Sequence, residues 1–233
     1  MNKYLQETPM LNYKHFQIQK LIKERGWANV DDFQKIKKIY NFVRDEIAFG
    51  YNIDDAISAT EVLKDGYGQC NTKGTLFMAL LRGVGIPCRM HGFTIDKKLQ
   101  KGAIPGLIYK LAPQYIIHSW VEVQYKGHWY NIEGFILDRQ YLKKLQEKFS
   151  ECHTSFCGYG VAIDNFQNPP IEWNGNDTYI QKEGIKHDFG LFNSPDEFFE
   201  KYQQQLTPIK RWFYRNIIRK LMNRNIEKIR KSM

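Results

Sequence analysis

The sequence predicts an α+β fold. Three observations carry the prediction. Apolar residues recur at helical spacing through the first third of the chain. A central segment turns apolar at helical spacing directly after a glycine-containing loop. Two alternating, aromatic-rich runs then flank a Lys-Gly pair. Helices first and an antiparallel sheet afterwards is the order of an α+β domain, not of alternating βα units.

Residues 10–25 are predicted helical. Asp31 and Asp32 open a second helix through "DDFQKIKKIYNFVRDEIAF", where Phe33, Ile36, Ile39, Tyr40, Val43 and Ile47 line one face. "AISATEVLKDG" reads as a short helix stopped by Gly66. Leu76, Phe77, Leu80, Leu81 and Val84 place the central helix after Cys70, and Gly83, Gly85 and Pro87 end it.

"CRMHGFTI" reads as a strand. "IIHSWVEVQY" and "HWYNIEGFIL" read as a hairpin turning at Lys126-Gly127. The connection 96–116, punctuated by Gly102, Pro105, Gly106 and Pro113, has the length of a lid or an insertion. Residues 150–195 are expected to be an irregular insertion packed on the domain, because they are aromatic-rich but lack a sustained period. Helices from about Pro195 and Pro208 close the chain. The expected organisation is one domain over 1–205 and a basic amphipathic helix over 206–233.

Composition bounds the function. Hydrophobic residues make up 42% of the 233 and aromatics 15%, enough for a substantial core. No run approaches the roughly 18 apolar residues of a membrane span. The start, "MNKYLQETPM", has no apolar stretch like a signal peptide's, so a cytoplasmic protein is expected. Four cysteines are too few for a disulfide scaffold. Cys152, His153 and Cys157 match no common zinc spacing and read as reduced structural thiols. No calcium loop of the Asp-x-Asp-x-Asp-Gly type occurs, and no metal or cofactor is expected.

The net charge of +9 is uneven. Residues 206–233 hold nine Lys or Arg and one acid, whereas the rest of the chain holds 25 basic and 24 acidic residues. A near-neutral domain with a basic end does not call for specific nucleic-acid binding. Ile209, Trp212, Phe213, Ile217, Leu221 and Met222 form a helical stripe among those cations. The stripe is expected to dock on the domain. Contact with an anionic membrane or an acidic partner is the alternative.

The chemistry centres on Cys70. Unpaired N–H groups and the helix dipole at a helix N-terminus favour the reactive thiolate. Gly66 and Gly68 permit the tight path before it. A cysteine nucleophile needs a base, and the base needs an orienting group. His118 begins the apolar run "HSWVEV" in one strand of the hairpin, and Glu133 lies in the other. If residues whose numbers sum to about 253 face each other, His118 lies near Phe135 and Glu133 opposite Trp120, within one diagonal step. Each residue alone is more often a structural one; their order along the chain is what suggests a site.

These stretches resemble the transglutaminase-like superfamily, which has a papain-like catalytic core and includes transglutaminases, peptide N-glycanases and many bacterial proteins. The resemblance rests on "GYGQCNTKGTLFMALLRGVGIPCR" and on "HSWVEVQYKGHWYNIEG", together roughly a third of the chain. It implies Cys70 as nucleophile, His118 as base and acid, and Glu133 at the position usually held by Asp, with Asp138 or Asn131 as substitute orienting groups. It implies an oxyanion site made by the Cys70 N–H and a nearby donor, with Gln69, Tyr67 and Trp120 as candidates for oxyanion or substrate contacts. The implied reaction is acyl transfer on a peptide, protein or small amide through a thioester, hydrolysis being favoured over cross-linking. A non-catalytic binding module that keeps the fold is the reading of another class.

Overall fold

The computed structural model describes residues 2–231. Helices α1 (Phe16–Glu24), α2 (Asp32–Asp45) and α3 (Ala59–Asp65) precede a long central helix, α4 (Cys70–Gly83). Short strands β1 (Ala48–Phe49) and β2 (Tyr67–Gly68) pair in parallel beside it. Then come β3 (Cys88–Asp96), α5 (Gly106–Leu111), β4 (Tyr115–Tyr125), β5 (His128–Ile132) and α6 (Arg139–Lys148). A small hairpin of β6 (Phe156–Gly158) and β7 (Val161–Ile163) leads to β8 (Ile185–Phe192) and α7 (Pro195–Lys201). The main sheet is antiparallel in the order β5-β4-β3-β8.

Local chemistry explains the helix ends near the site. Asp31 caps α2 by accepting from the Gln34 N–H. Ser58 and Glu61 form a capping box on α3, and Gly66 ends it with φ 70°. Residues 10–15 do not join α1, whose cap is His15.

Helix α4 lies between the sheet on one side and α1, α2 and α3 on the other. It is therefore buried on every side from Cys70 to Arg82, not only along the expected apolar face. Burial of Leu76, Phe77, Met78, Leu80 and Leu81, at about 1.5–3 kcal/mol each, holds it there. Its polar residues find partners inside: Lys73 Nζ donates to the Arg44 and Ile136 carbonyls at 3.1 and 3.0 Å. With no carboxylate in direct contact, burial pushes the Lys73 pKa down to about 7.

Three expectations need correction. The hairpin register holds, Val121 facing Ile132 and Tyr125 facing His128, but β5 stops at Ile132 instead of running on to Leu137. The chain leaves the ladder there and packs Gly134 closely, where a Cβ would meet Tyr40 Oη at 2.6 Å and Ile171 Cα at 2.9 Å. Segment 150–195, expected to be irregular, supplies β8. Two register shifts against β3 and a largely exposed face erase the period-two signal there.

The third correction concerns the end of the chain. Helices α8 (Pro208–Phe213) and α9 (Arg219–Lys231) are joined by a π-helical turn over Tyr214–Ile218. The docked face is Met222 and Ile226, with Tyr214 and Ile218 packed beside them; of the expected stripe only Met222 is buried. Polar contacts select that face. Asn223 bonds the Tyr51 N–H and carbonyl, Arg219 donates to the Tyr67 hydroxyl, and Arg230 pairs with Asp138.

Candidate functional site

Cys70 is the first residue of α4, so its own N–H has no carbonyl one turn earlier within the helix to donate to and faces out of the helix end. The loop before it is held close. A Cβ on Gly68 would lie 2.7 Å from Thr72 Oγ1 and 2.9 Å from Lys73 Cγ, so the backbone of β2 rides directly over the first turn of α4. Gln69 caps the helix: its Oε1 accepts from the Asn71 N–H at 2.7 Å and from the Cys70 thiol at 3.0 Å. Its Nε2 donates to Asp55. Burial, reinforced by the neighbouring Asp54, raises the Asp55 carboxyl to a pKa of about 6 against the hydrogen bonds from Asn71 and Gln69.

His118 on β4 is wholly buried. Its Nε2 lies 2.9 Å from Glu133 Oε1. Its Nδ1 is buried and makes no hydrogen bond of normal geometry, and Cys70 is the group that acts on it. Burial opposes charge on the imidazole, but Cys70 and Glu133 outweigh it and raise the His118 pKa to about 10. Glu133 is itself fixed. Its Oε2 accepts from the Ile180 and Gln181 N–H groups, each at 2.9 Å, and its own N–H donates to the Thr178 carbonyl at 3.0 Å.

Of the three residues proposed to orient His118, Glu133 alone bonds it. Asp138 caps α6 through the Tyr141 N–H and pairs with Arg230. Asn131 bonds Asp177 and Tyr179. Glu133 meets His118 from the turn after β5 rather than as a cross-strand diagonal, since it sits beyond the last ladder pair.

The other candidates divide. Gln69 flanks the sulfur, although one of its amide protons is engaged by Asp55. Tyr67 turns its hydroxyl to Arg219, towards α9. Trp120 packs against Phe93, His91 and Tyr179, and its Nε1 is buried without a partner. A cavity of about 460 Å³ lined by Phe49, Tyr67, Arg219, Asn223 and Glu227 follows the junction of α9 with β1 and β2; Cys70, His118 and Glu133 are not among its lining residues. Among the described residues no group of three His, Cys, Asp or Glu is placed to hold a metal ion, and no helix is long and apolar enough to cross a membrane.

Sequence reasoning missed several supports. Asn71 Nδ2 donates to the Ile117 carbonyl and its Oδ1 accepts from Ser119 Oγ, which ties the start of α4 to β4 on either side of His118. Tyr51, buried next to β1, donates to Gln100 and so ties the 96–116 connection to the segment after β1. Polar residues of this kind have no periodicity to reveal them.

The family model of the transglutaminase-like superfamily matches residues 22–134, a span that contains Cys70, His118 and Glu133. No curated protein matches the chain. Among solved structures, a candidate cysteine protease from Cytophaga hutchinsonii superimposes with a TM-score of 0.48 at 12% identity, over 83% of this chain. This chain spans 47% of that one. Residues 22–134 are thus similar to the transglutaminase-like superfamily, and this stretch carries Cys70, His118 and Glu133.

Proposed function

We propose that this protein transfers acyl groups from amide or peptide bonds through a thioester on Cys70, with water as the usual acceptor. The observation that carries the proposal is the buried His118, held by Glu133 through Nε2 with Nδ1 left for Cys70. In the resting site the thiol donates to Gln69 Oε1. Rotation towards Nδ1 passes its proton to the neutral His118 imidazole; the imidazolium so formed is the state that Cys70 and Glu133 favour, and the thiolate attacks the amide carbon. The Cys70 N–H and a neighbouring donor meet the developing oxyanion. His118 returns the proton to the leaving amine, and the thioester is released by an acceptor. Glu133 keeps the imidazole in the tautomer that this cycle needs.

Support for hydrolysis comes from access. Cys70 is 8% exposed. Water needs no second channel to reach a thioester there, whereas a protein-borne amine does. A transglutaminase or glutamine deamidase on the same residues is the second reading.

Thiol reactivity tests the proposal. With iodoacetamide, Cys70 should be alkylated faster than Cys88, Cys152 and Cys157, although Cys157 is the exposed thiol. His118→Ala should slow Cys70 alone. Equal rates at all four would favour a non-catalytic binding module. Incubation with peptide, glutamine and small-amide libraries should leave an acyl adduct on Cys70 by mass spectrometry. Release by water or incorporation of a fluorescent primary amine then separates hydrolysis from transfer.

A further inference from the structure

The C-terminal helical stretch has two apolar faces, and one of them is unpartnered. Met222 and Ile226 are buried against the domain. Ile209, Trp212, Phe213, Ile217 and Leu221 are 71, 57, 45, 42 and 39% exposed. Ile209, Phe213, Ile217 and Leu221 recur every four residues, with Trp212 beside them, so they form a continuous ridge. The π-helical turn at Tyr214–Ile218 lies within it.

The helix cannot roll to hide this ridge. Tyr214 donates to the Asn52 carbonyl at 3.2 Å, and Arg215 pairs with Asp54. Asn225 donates to the Gly102 and Ala103 carbonyls at 2.9 and 2.7 Å, and Arg230 pairs with Asp138 at 2.8 Å. These contacts anchor the opposite face along its whole length. They also divide the cations. Arg215, Arg219 and Arg230 are used internally, whereas Lys210, Arg211, Lys220, Arg224 and Lys228 are exposed on or beside the ridge. The one acid of the segment, Glu227, is held by Arg230 and Lys231.

We propose that this face docks on the surface of an anionic lipid bilayer. The ridge would sit in the headgroup–acyl boundary, with Trp212 at the polar interface. Lys210, Lys220, Arg224 and Lys228 would meet lipid phosphates. Charge complementarity selects the occupant. A second copy of this chain would bring like charges together across the contact. Nucleic acid would satisfy the cations but leave Ile209, Ile217 and Leu221 without a partner, since aliphatic side chains offer bases no stacking surface. The inference does not depend on the chemistry at Cys70.

Co-sedimentation of the full chain with vesicles tests it. Binding is expected to phosphatidylcholine vesicles that also carry phosphatidylglycerol, not to phosphatidylcholine alone, and is expected to weaken with salt. The double variants Trp212→Ser/Ile217→Ser and Lys220→Ser/Arg224→Ser should each bind about tenfold or more weakly. Both alter exposed residues only, and circular dichroism checks that they fold. Trp212→Phe should keep sedimentation but lose the blue shift of emission on vesicles. No sedimentation at low salt, or sedimentation indifferent to both double variants, would overturn the proposal. So would an oligonucleotide bound in preference to vesicles, or a dimer in analytical ultracentrifugation that Trp212→Ser/Ile217→Ser abolishes.

Discussion

His118 and Glu133 are joined by a 2.9 Å hydrogen bond from Nε2 to Oε1, and neither side chain reaches solvent. Cys70 and Glu133 together should govern the titration of the imidazole, against the cost of burial. With the pKa of His118 raised to about 10, its contribution to stability is complete below the ordinary histidine value and is lost as pH rises towards 10. Glu133→Gln removes the charge but keeps the shape. It should move His118 titration to lower pH, read by imidazole nitrogen NMR, and slow thioester formation by about 10²–10⁴. Glu133→Asp is one methylene shorter and must give up either His118 or the Ile180 and Gln181 N–H groups. It should lie between the two.

Lys73 predicts the opposite dependence. Its pKa is lowered to about 7 by burial, so between pH 7 and the ordinary lysine value the unfolded chain binds more protons than the folded one. Stability should rise with pH across that window. Urea unfolding of Lys73→Met should show that slope removed, because the substitution leaves only the Arg44 and Ile136 carbonyls unpaired.

Gly68 predicts strain beside Cys70. Gly68→Ala puts a methyl 2.7 Å from Thr72 Oγ1 and should cost about 1–3 kcal/mol in urea unfolding. Displacement of Gln69 and Cys70 should slow Cys70 alkylation as well. Gly66→Ala, with φ 70° and open space around its Cβ, should be strained in backbone but spare that rate.

The Asp138–Arg230 pair predicts how the C-terminal helix is held. Arg230, both partners being nearly buried, keeps the Asp138 carboxyl below its usual range, against the cost of burial. The stabilisation is present above the ordinary Asp value and is lost as pH falls through the lower folded one. Asp138→Asn should cost about 1–3 kcal/mol, because Arg230 loses its buried charge partner and keeps only the more exposed Glu227. Limited proteolysis should then cut within α9 first.

Much of this was legible in the chain. Asp31 with the apolar recurrence of Ile36, Ile39, Tyr40 and Val43 marked α2, and the alternation about Lys126-Gly127 marked the β4–β5 hairpin and its register. Cys70 stood out as a thiol at a helix start, and His118 and Glu133 as an imidazole and an acid within the two halves of one predicted hairpin. Strand β8 and the Thr178–Gln181 segment did not. An edge strand with two register shifts loses alternation, and backbone N–H groups that hold a carboxylate leave no trace in residue type.

By itself, then, the sequence determined where elements begin and which residues are able to do chemistry, because caps, turns and hydrophobic periods are local. Only the tertiary structure decided which acid serves His118, that Gln69 rather than the imidazole holds the resting thiol, and which face of the C-terminal helix is buried. Those outcomes depend on contacts between residues far apart in the chain. There, a few hydrogen bonds and one buried ion pair outweigh the apolar stripe that the helix shows in isolation.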